Sequence, residues 1–265
     1  MITSSSNPRV KQVAQWQVNA RERHSAGIFL TEGFKLFLEA PVEWLKEIYI
    51  SEEVLERAAG ASEIWEKLEK TGYETTTAEV FRKMSDTQTP QGILCVARQP
   101  IYGLEQLLEV SCPLLIVLED LQDPGNLGTI FRTGEGAGIT GIIMSRGKVD
   151  LFNPKTIRAT MGSVFRVTFV YVENLIEAIE RIQAAKIGVY AAHLAGAKYY
   201  DEFDFTKASA FLIGNEGRGL RAETAEAADE YVKIPMEGKV ESLNAGVAAA
   251  LLTYEARRQR RHRDF

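Results

Sequence analysis

Three short stretches hold the residues whose types and spacing could do chemistry. In DPGNLGTIFRTGE (123–135), Pro124 and Gly125 turn the chain and Asn126 has a side chain suited to capping the helix that follows; Arg132 then falls about 1.7 turns along that helix. Read alone, this is a capped helix with one solvated arginine. In FLIGNEGRGL (211–220), a buried strand runs into a glycine-rich loop that holds one carboxylate, Glu216. At the C-terminal edge of a parallel sheet, such a loop lets backbone N–H and C=O groups reach a small molecule; a plain strand-to-helix turn is the other reading. In IPMEGKVESLNAGVAAA (234–250), a strand end and a compact loop place Ser242 and Asn244 at the mouth of a helix. That helix is so rich in Ala and Gly that another backbone must pack closely against it.

Several other chemistries are disfavoured. The three histidines, His24, His193 and His262, include no pair at helical i, i+4 spacing, which argues against His-based metal sites and Ser/His/Asp hydrolysis. Cys95 and Cys112 form no C-x-x-C, so neither a disulfide framework nor a zinc site is suggested, and both are expected to be reduced and partly buried. GAGITG (136–141) matches G-x-G-x-x-G, but it follows a helical stretch and precedes a strand, the reverse of a dinucleotide-binding turn; it reads as a helix stop.

From about residue 113 short apolar strands alternate with helices. Strands are expected at 114–120, 141–145, 167–172, 187–194, 210–215 and 231–236, and helical stretches at 126–137, 153–162, 174–186, 220–229 and from about Asn244. Nearly all-apolar strands imply a parallel sheet covered on both faces, hence an α/β fold. The first ~98 residues read as a smaller α/β domain, with Phe29, Phe34 and Phe37 assigned to its core. The expected organisation is therefore a domain over 1–98, a Pro- and Gly-bearing link over 99–112 and a second domain over 113–265. With 265 residues, 45% hydrophobic and 25% charged, the chain suits a folded protein of one or two domains. Its start has no apolar signal region, and no run approaches the ~18 apolar residues of a membrane span, so the expected location is the cytoplasm. The net charge of −5 argues against a wholly basic nucleic-acid binder, but both chain ends are basic: residues 1–35 and the tail RRQRRHR (257–263). The tail is read either as a solvated helix end or as an RNA phosphate contact.

Taken in order, the three stretches resemble the SpoU (TrmH) family of RNA 2′-O-ribose methyltransferases, within the SPOUT class, over about 114–258. Asn153 to Ser163 is similar to the family's segment between its first two motifs. Asn7 to Lys11 and Phe29 to Gly33 are similar to the substrate-binding domain that many members carry. The resemblance implies a C-terminal trefoil-knotted parallel-sheet domain, preceded by a small α/β RNA-binding domain, and a homodimer. It implies S-adenosylmethionine as cofactor, held at Gly214, Ile234, Met236 and Leu243 with Leu194 nearby, and no metal. Asn126, Arg132, Glu216, Ser242 and Asn244 match the catalytic and RNA-facing positions. Two departures stand out: Ala245-Gly246 follows Asn244 where many relatives have Val-Ser, and the segment from Arg166 lacks a common Pro.

What this implies is methyl transfer to a ribose 2′-hydroxyl of structured RNA, ribosomal RNA foremost. A transfer-RNA substrate, or a non-catalytic RNA- or ribosome-binding module on the same fold, are the alternatives. Arg132 is expected to clamp an RNA phosphate, with that phosphate or Arg132 itself taking the hydroxyl proton. Glu216 is expected to orient Arg132 or the loop, Asn126, Ser242 and Asn244 to fix loop and nucleotide, and His193 to be a polar neighbour of the cofactor.

Overall fold

The computed structural model describes every residue except Ala61, Lys148, Glu241 and residues 262–265, and excludes the side chains of residues 56–59. The chain forms two compact units, one of residues 1–100 with 150–165, the other of 101–149 with 166–265.

The first unit begins with α1 (Pro8–Val18), capped by the Asn7 side chain, and α2 (Ala20–Ala26), which ends at a left-handed Gly27. There follow β1 (Ile28–Glu32), α3 (Phe34–Glu39), β2 (Leu45–Ser51), α4 (Glu52–Ala59), α5 (Ser62–Thr71), β3 (Glu74–Thr76), α6 (Ala78–Met84) and β4 (Ile93–Arg98). Its four-stranded sheet has the order β1-β4-β2-β3, with β4 antiparallel to both neighbours. One face packs Tyr49, Leu94 and Val96 on α1 and α6; the other packs Ile48, Ile50 and Cys95 with Phe37 and Leu68. Phe29 and Phe37 are fully buried and Phe34 packs on the second cluster, so the core assignment of these rings holds. Cys95 is buried, but Cys112 is exposed, because it lies in the loop before the next strand.

The second unit opens with α7 (Leu104–Leu108) inside the expected link, then β5 (Leu114–Leu118), α8 (Pro124–Ala137) and β6 (Gly141–Ser145). The chain then gives residues 150–165 to the first unit. This arm carries α9 (Pro154–Thr160), and its Phe152 and Phe165 rings lie 5.2 and 6.2 Å from Phe29. The buried Arg23 guanidinium reaches Asp150 at 2.7 Å and donates to the Trp16 carbonyl at 2.6 Å.

The second unit resumes with β7 (Phe169–Val172), α10 (Leu175–Ala184), β8 (Gly188–Ala192), β9 (Lys198–Tyr199), β10 (Ser209–Ile213), α11 (Ala222–Glu226), β11 (Glu230–Lys233) and α12 (Ala245–Arg261). Its seven-stranded sheet has the order β7-β6-β5-β10-β8-β11-β9, and all its pairs run parallel. Leu115, Val117, Ala210 and Leu212 pack with Leu175, Ile179 and Ile182 of α10, while α8 and α12 pack on each other and α12 also meets β5 and β10. The small residues of α12 are there for close approach: a Cβ on Gly246 would lie 3.1 Å from the Thr129 methyl of α8. Gly138 ends α8 at φ +80°, the helix-stop role expected of the glycine triplet. The expected α/β fold with a parallel sheet is therefore the one observed. Among the described residues, no helix is long and apolar enough to cross a membrane.

Candidate active site

In this strand order β5 and β10 are neighbours although far apart in sequence, and the chain departs from them in opposite directions. The loops leaving their C-terminal ends meet at such a switch point, where open parallel sheets bind ligands. The loop after β5 carries the first expected motif and the loop after β10 the second. The loop before α12 carries the third.

A relay of side chains ties the three together. Glu216 accepts hydrogen bonds from the backbone N–H of Gln122 (3.1 Å) and Asp123 (2.9 Å) and from Asn126 Nδ2 (2.9 Å). Asn126 Oδ1 accepts from Asn244 Nδ2 at 2.7 Å. Asn244 Oδ1 in turn caps α12, accepting from the N–H groups of Gly246 (2.9 Å) and Val247 (3.2 Å). The cap of α8 is Asp123, one turn before the expected Asn126, with Pro124 in the first turn; this frees the Asn126 amide for the relay. Burial opposes ionisation of Glu216, but the donors from Asn126, Asp123, its own N–H and Gln122 outweigh it and hold the carboxyl below its ordinary pKa. An ionised carboxylate so engaged is a weak base and a strong loop anchor.

Beside the relay lies a cavity of about 370 Å³. All five residues expected at the cofactor, Leu194, Gly214, Ile234, Met236 and Leu243, line it, as do Glu216 and Ser242. Its apolar walls and glycine backbone suit a nucleoside-sized ligand, since such pockets are mostly apolar with a few placed polar groups. The loop 214–220 is tightly wound: Asn215 and Gly219 exchange backbone hydrogen bonds at 3.0 and 2.9 Å, and a Cβ on Gly214 would lie 2.1 Å from the Gly219 carbonyl carbon. His193 also lines the cavity, its ring 4.8 Å from Tyr231 and its Nδ1 accepting from the Ala195 N–H at 3.2 Å.

Arg132 stands apart. It is exposed on α8, and among the described residues it makes no hydrogen bond or ion pair, so Glu216 orients the loop and not Arg132. Asn126, Asn244 and Arg132 do not line the cavity; the first two reach it through Glu216. Sequence reading missed Asn215, whose Oδ1 accepts from the N–H of Gly217 (2.9 Å) and Arg218 (3.1 Å) while its Nδ2 donates to the Asp120 carbonyl at 2.8 Å. The signal was an Asn before a Glu-Gly pair, an Asx-turn pattern. It also missed Asp120, a non-glycine residue at φ +50° steadied by Ser145. Among the described residues, no group of acidic, His and Cys side chains could hold a metal ion.

Within the tail, Arg260 donates to the carbonyls of Cys112, Pro113, Phe205 and Lys207 and is structural, whereas Arg257, Arg258 and Arg261 are exposed at the end of α12, with Arg258 paired to Glu255 at 2.7 Å. His262 and Arg263 lie outside the described residues.

Comparison with known proteins agrees with this geometry. The chain is 34% identical to a 23S rRNA (guanosine(2553)-2′-O)-methyltransferase of Bacillus subtilis, over 97% of this chain and 98% of that one. It is 28% identical to a 23S rRNA (uridine(2479)-2′-O)-methyltransferase of Streptomyces viridochromogenes, over 97% and 92%. An AdoMet-bound rRNA methyltransferase from Sinorhizobium meliloti superposes with a TM-score of 0.85 at 32% identity, covering 97% of each chain. Residues 7–95 match the MRM3-like substrate binding domain and residues 113–254, which contain the whole relay and cavity, match the SpoU rRNA Methylase family. The chain belongs to that family.

Proposed function

We propose that this protein transfers a methyl group from S-adenosylmethionine to a ribose 2′-hydroxyl of ribosomal RNA, in the cytoplasm and as a homodimer. The observation that carries this reading is the Glu216–Asn126–Asn244 relay, which ties all three motifs together beside one cavity at the sheet's switch point. The full-length similarity to enzymes named for 23S rRNA supports the substrate class.

Leu194, Ile234, Met236 and Leu243 supply the walls for the cofactor, and the backbone of Gly214 approaches it closely. When bound, S-adenosylmethionine supplies an electrophilic sulfonium methyl. Placing the ribose oxygen in line with that methyl accounts for much of the rate, and this is what a rigid relay is for. Arg132, exposed and without a partner among the described residues, is suited to hold the phosphate beside the target ribose in a two-pronged grip. With the cofactor bound, the phosphate held by Arg132 would accept the 2′-hydroxyl proton while the ribose oxygen takes the methyl group. Glu216, ionised and already accepting several N–H groups, holds the loop and takes no proton.

Residues 1–98 serve RNA recognition and 113–265 methyl transfer, with 99–112 as the link, and the C-terminal part of the second domain forms the knot. The second copy docks on the outer face of α12, where Val247 and Tyr254, seven residues apart, are 46% and 50% exposed. The test is transfer of labelled methyl from S-adenosylmethionine to bacterial RNA and ribosomal subunits, followed by alkaline digestion. Label in an alkali-resistant dinucleotide of rRNA is expected, with Arg132→Ala lowering the rate at least about 100-fold. Label confined to tRNA, or cofactor binding without transfer to any RNA, would overturn the reading.

A further inference from the structure

We propose that Glu119, a residue outside all three motifs, is a positioning residue that sets the far end of the cofactor loop. The inference rests on the reading that the cavity holds S-adenosylmethionine. Glu119 follows β5, and its backbone N–H donates to the Ile213 carbonyl at 2.9 Å; its side chain is buried, with 1% of the residue exposed. Burying a carboxylate is costly unless several partners compensate it, and an apolar side chain would fill the same space at no such cost. The partners are present, and all come from one place. The carboxylate accepts from the Arg221 backbone N–H at 2.7 Å, from Arg221 Nε at 2.7 Å and from the buried hydroxyl of Thr224. These are the first residues after the loop 214–220.

Glu216 makes the opposite connection. From within the loop after β10 it grips Gln122, Asp123 and Asn126, just past Glu119. The two segments thus lace together by exchanging carboxylates in opposite directions, and Asn215 adds a third tie to the Asp120 carbonyl. One tie would hold the segments near each other; ties at both ends fix the loop's tilt over the cavity as well. The tilt matters because Gly214 and Leu220, at the two ends of the loop, both line the cavity, and Gly214 lies against the Gly219 backbone with no room for a methyl group. Release of Arg221 from Glu119 therefore moves Leu220 and reshapes the cavity wall, while the Glu216 relay stays closed.

The test compares wild type, Glu119→Gln, Arg221→Ala and the double variant in the full-length protein. In the cofactor-free proteins, amide hydrogen exchange over 215–221 is expected to quicken in every variant. The Kd and KM for S-adenosylmethionine are expected to rise about tenfold in Glu119→Gln, the size of one lost charged hydrogen bond. At saturating cofactor, kcat and the KM for RNA should stay within about twofold, and the double variant should be no worse than Glu119→Gln. If Glu119→Gln fails to fold, Arg221→Ala, which changes a half-exposed side chain, and Thr224→Val carry the same measurements. Unchanged exchange and cofactor Kd in folded variants would overturn the proposal, as would a uniform fall of kcat and both affinities. If wild type binds no S-adenosylmethionine but exchange over 215–221 still quickens in the variants, the cavity's assignment falls while Glu119's hold on the loop stands.

Discussion

Asn126→Asp changes one donor nitrogen into an oxygen at the centre of the relay and leaves the volume unaltered. Asn126 Nδ2 sits 2.9 Å from Glu216 Oε1, so the variant places two carboxylate oxygens where a hydrogen bond was. Two unit charges at that separation repel by about 1.4 kcal/mol in a water-like dielectric and about 6 kcal/mol at an effective dielectric of 20. Glu216 is exposed, which favours the lower figure, and the lost charge-assisted bond adds about 1.5–3 kcal/mol. A total near 3 kcal/mol corresponds to a factor of about 150. The sign with pH follows from the charges. In wild type the Glu216 pKa is depressed, so its contribution is present above the ordinary carboxylate range and is lost as pH falls through the folded value. In the variant, repulsion raises the first proton affinity of the pair, so the penalty is full at high pH and shrinks as the pair takes up a proton. Methyl-transfer rates at saturating cofactor between pH 5 and 8.5, expressed as the ratio of variant to wild type, should therefore be lowest at pH 8.5 and climb towards pH 5. A variant as active as wild type at pH 8, or a ratio independent of pH, would refute the argument that the Asn126 amide is a required donor to an ionised Glu216.

Other expectations follow from the same contacts. Arg260→Met leaves the carbonyls of Cys112, Pro113, Phe205 and Lys207 without their donor and should cost about 2–4 kcal/mol in urea unfolding, while the salt dependence of RNA binding stays unchanged. Arg23→Met removes the Arg23 donors to Asp150, which keeps the Phe152 N–H, and to the Trp16 carbonyl in the first unit; losing charged hydrogen bonds of this kind predicts a cost of about 1.5–3 kcal/mol, measured by thermal unfolding. Gly214→Ala puts a methyl group into the Gly219 backbone and should abolish cofactor binding measured calorimetrically in a protein that remains folded.

Much of the second unit was legible because its physics is local. The run at 114–120 is apolar throughout, and β5 (Leu114–Leu118) is buried on both faces. The spacing of Leu175, Ile179 and Ile182 marks the buried side of α10. The motif residues were found by type and order, and the structure shows what the amide at 126 does: its nitrogen donates to Glu216 while its oxygen accepts from Asn244, a pairing no carboxylate reproduces. The strand order was not legible, since the pairing of β5 with β10 joins residues about a hundred positions apart. For the same reason Glu119 passed unnoticed, as an acidic residue at a strand end whose partners lie 102 and 105 positions away. In the tail, read either as a solvated helix end or as a phosphate contact, the partners of Arg260 were equally hidden, because the carbonyls it holds lie 53 to 148 positions away.

The arm of residues 150–165 also bears on synthesis. The first unit has its own sheet by residue 100, but Phe29 packs against Phe152 and Phe165, and Arg23 pairs with Asp150. As the chain leaves the ribosome, that unit must wait some 65 residues for its last wall, about 3–13 s at bacterial elongation rates, with an apolar side open and a buried-to-be arginine unpaired. By then only β5 and β6 of the second unit's strands have emerged, and its other five strands and α12 follow over the next hundred residues, so the first unit closes on its arm while the second is still being made.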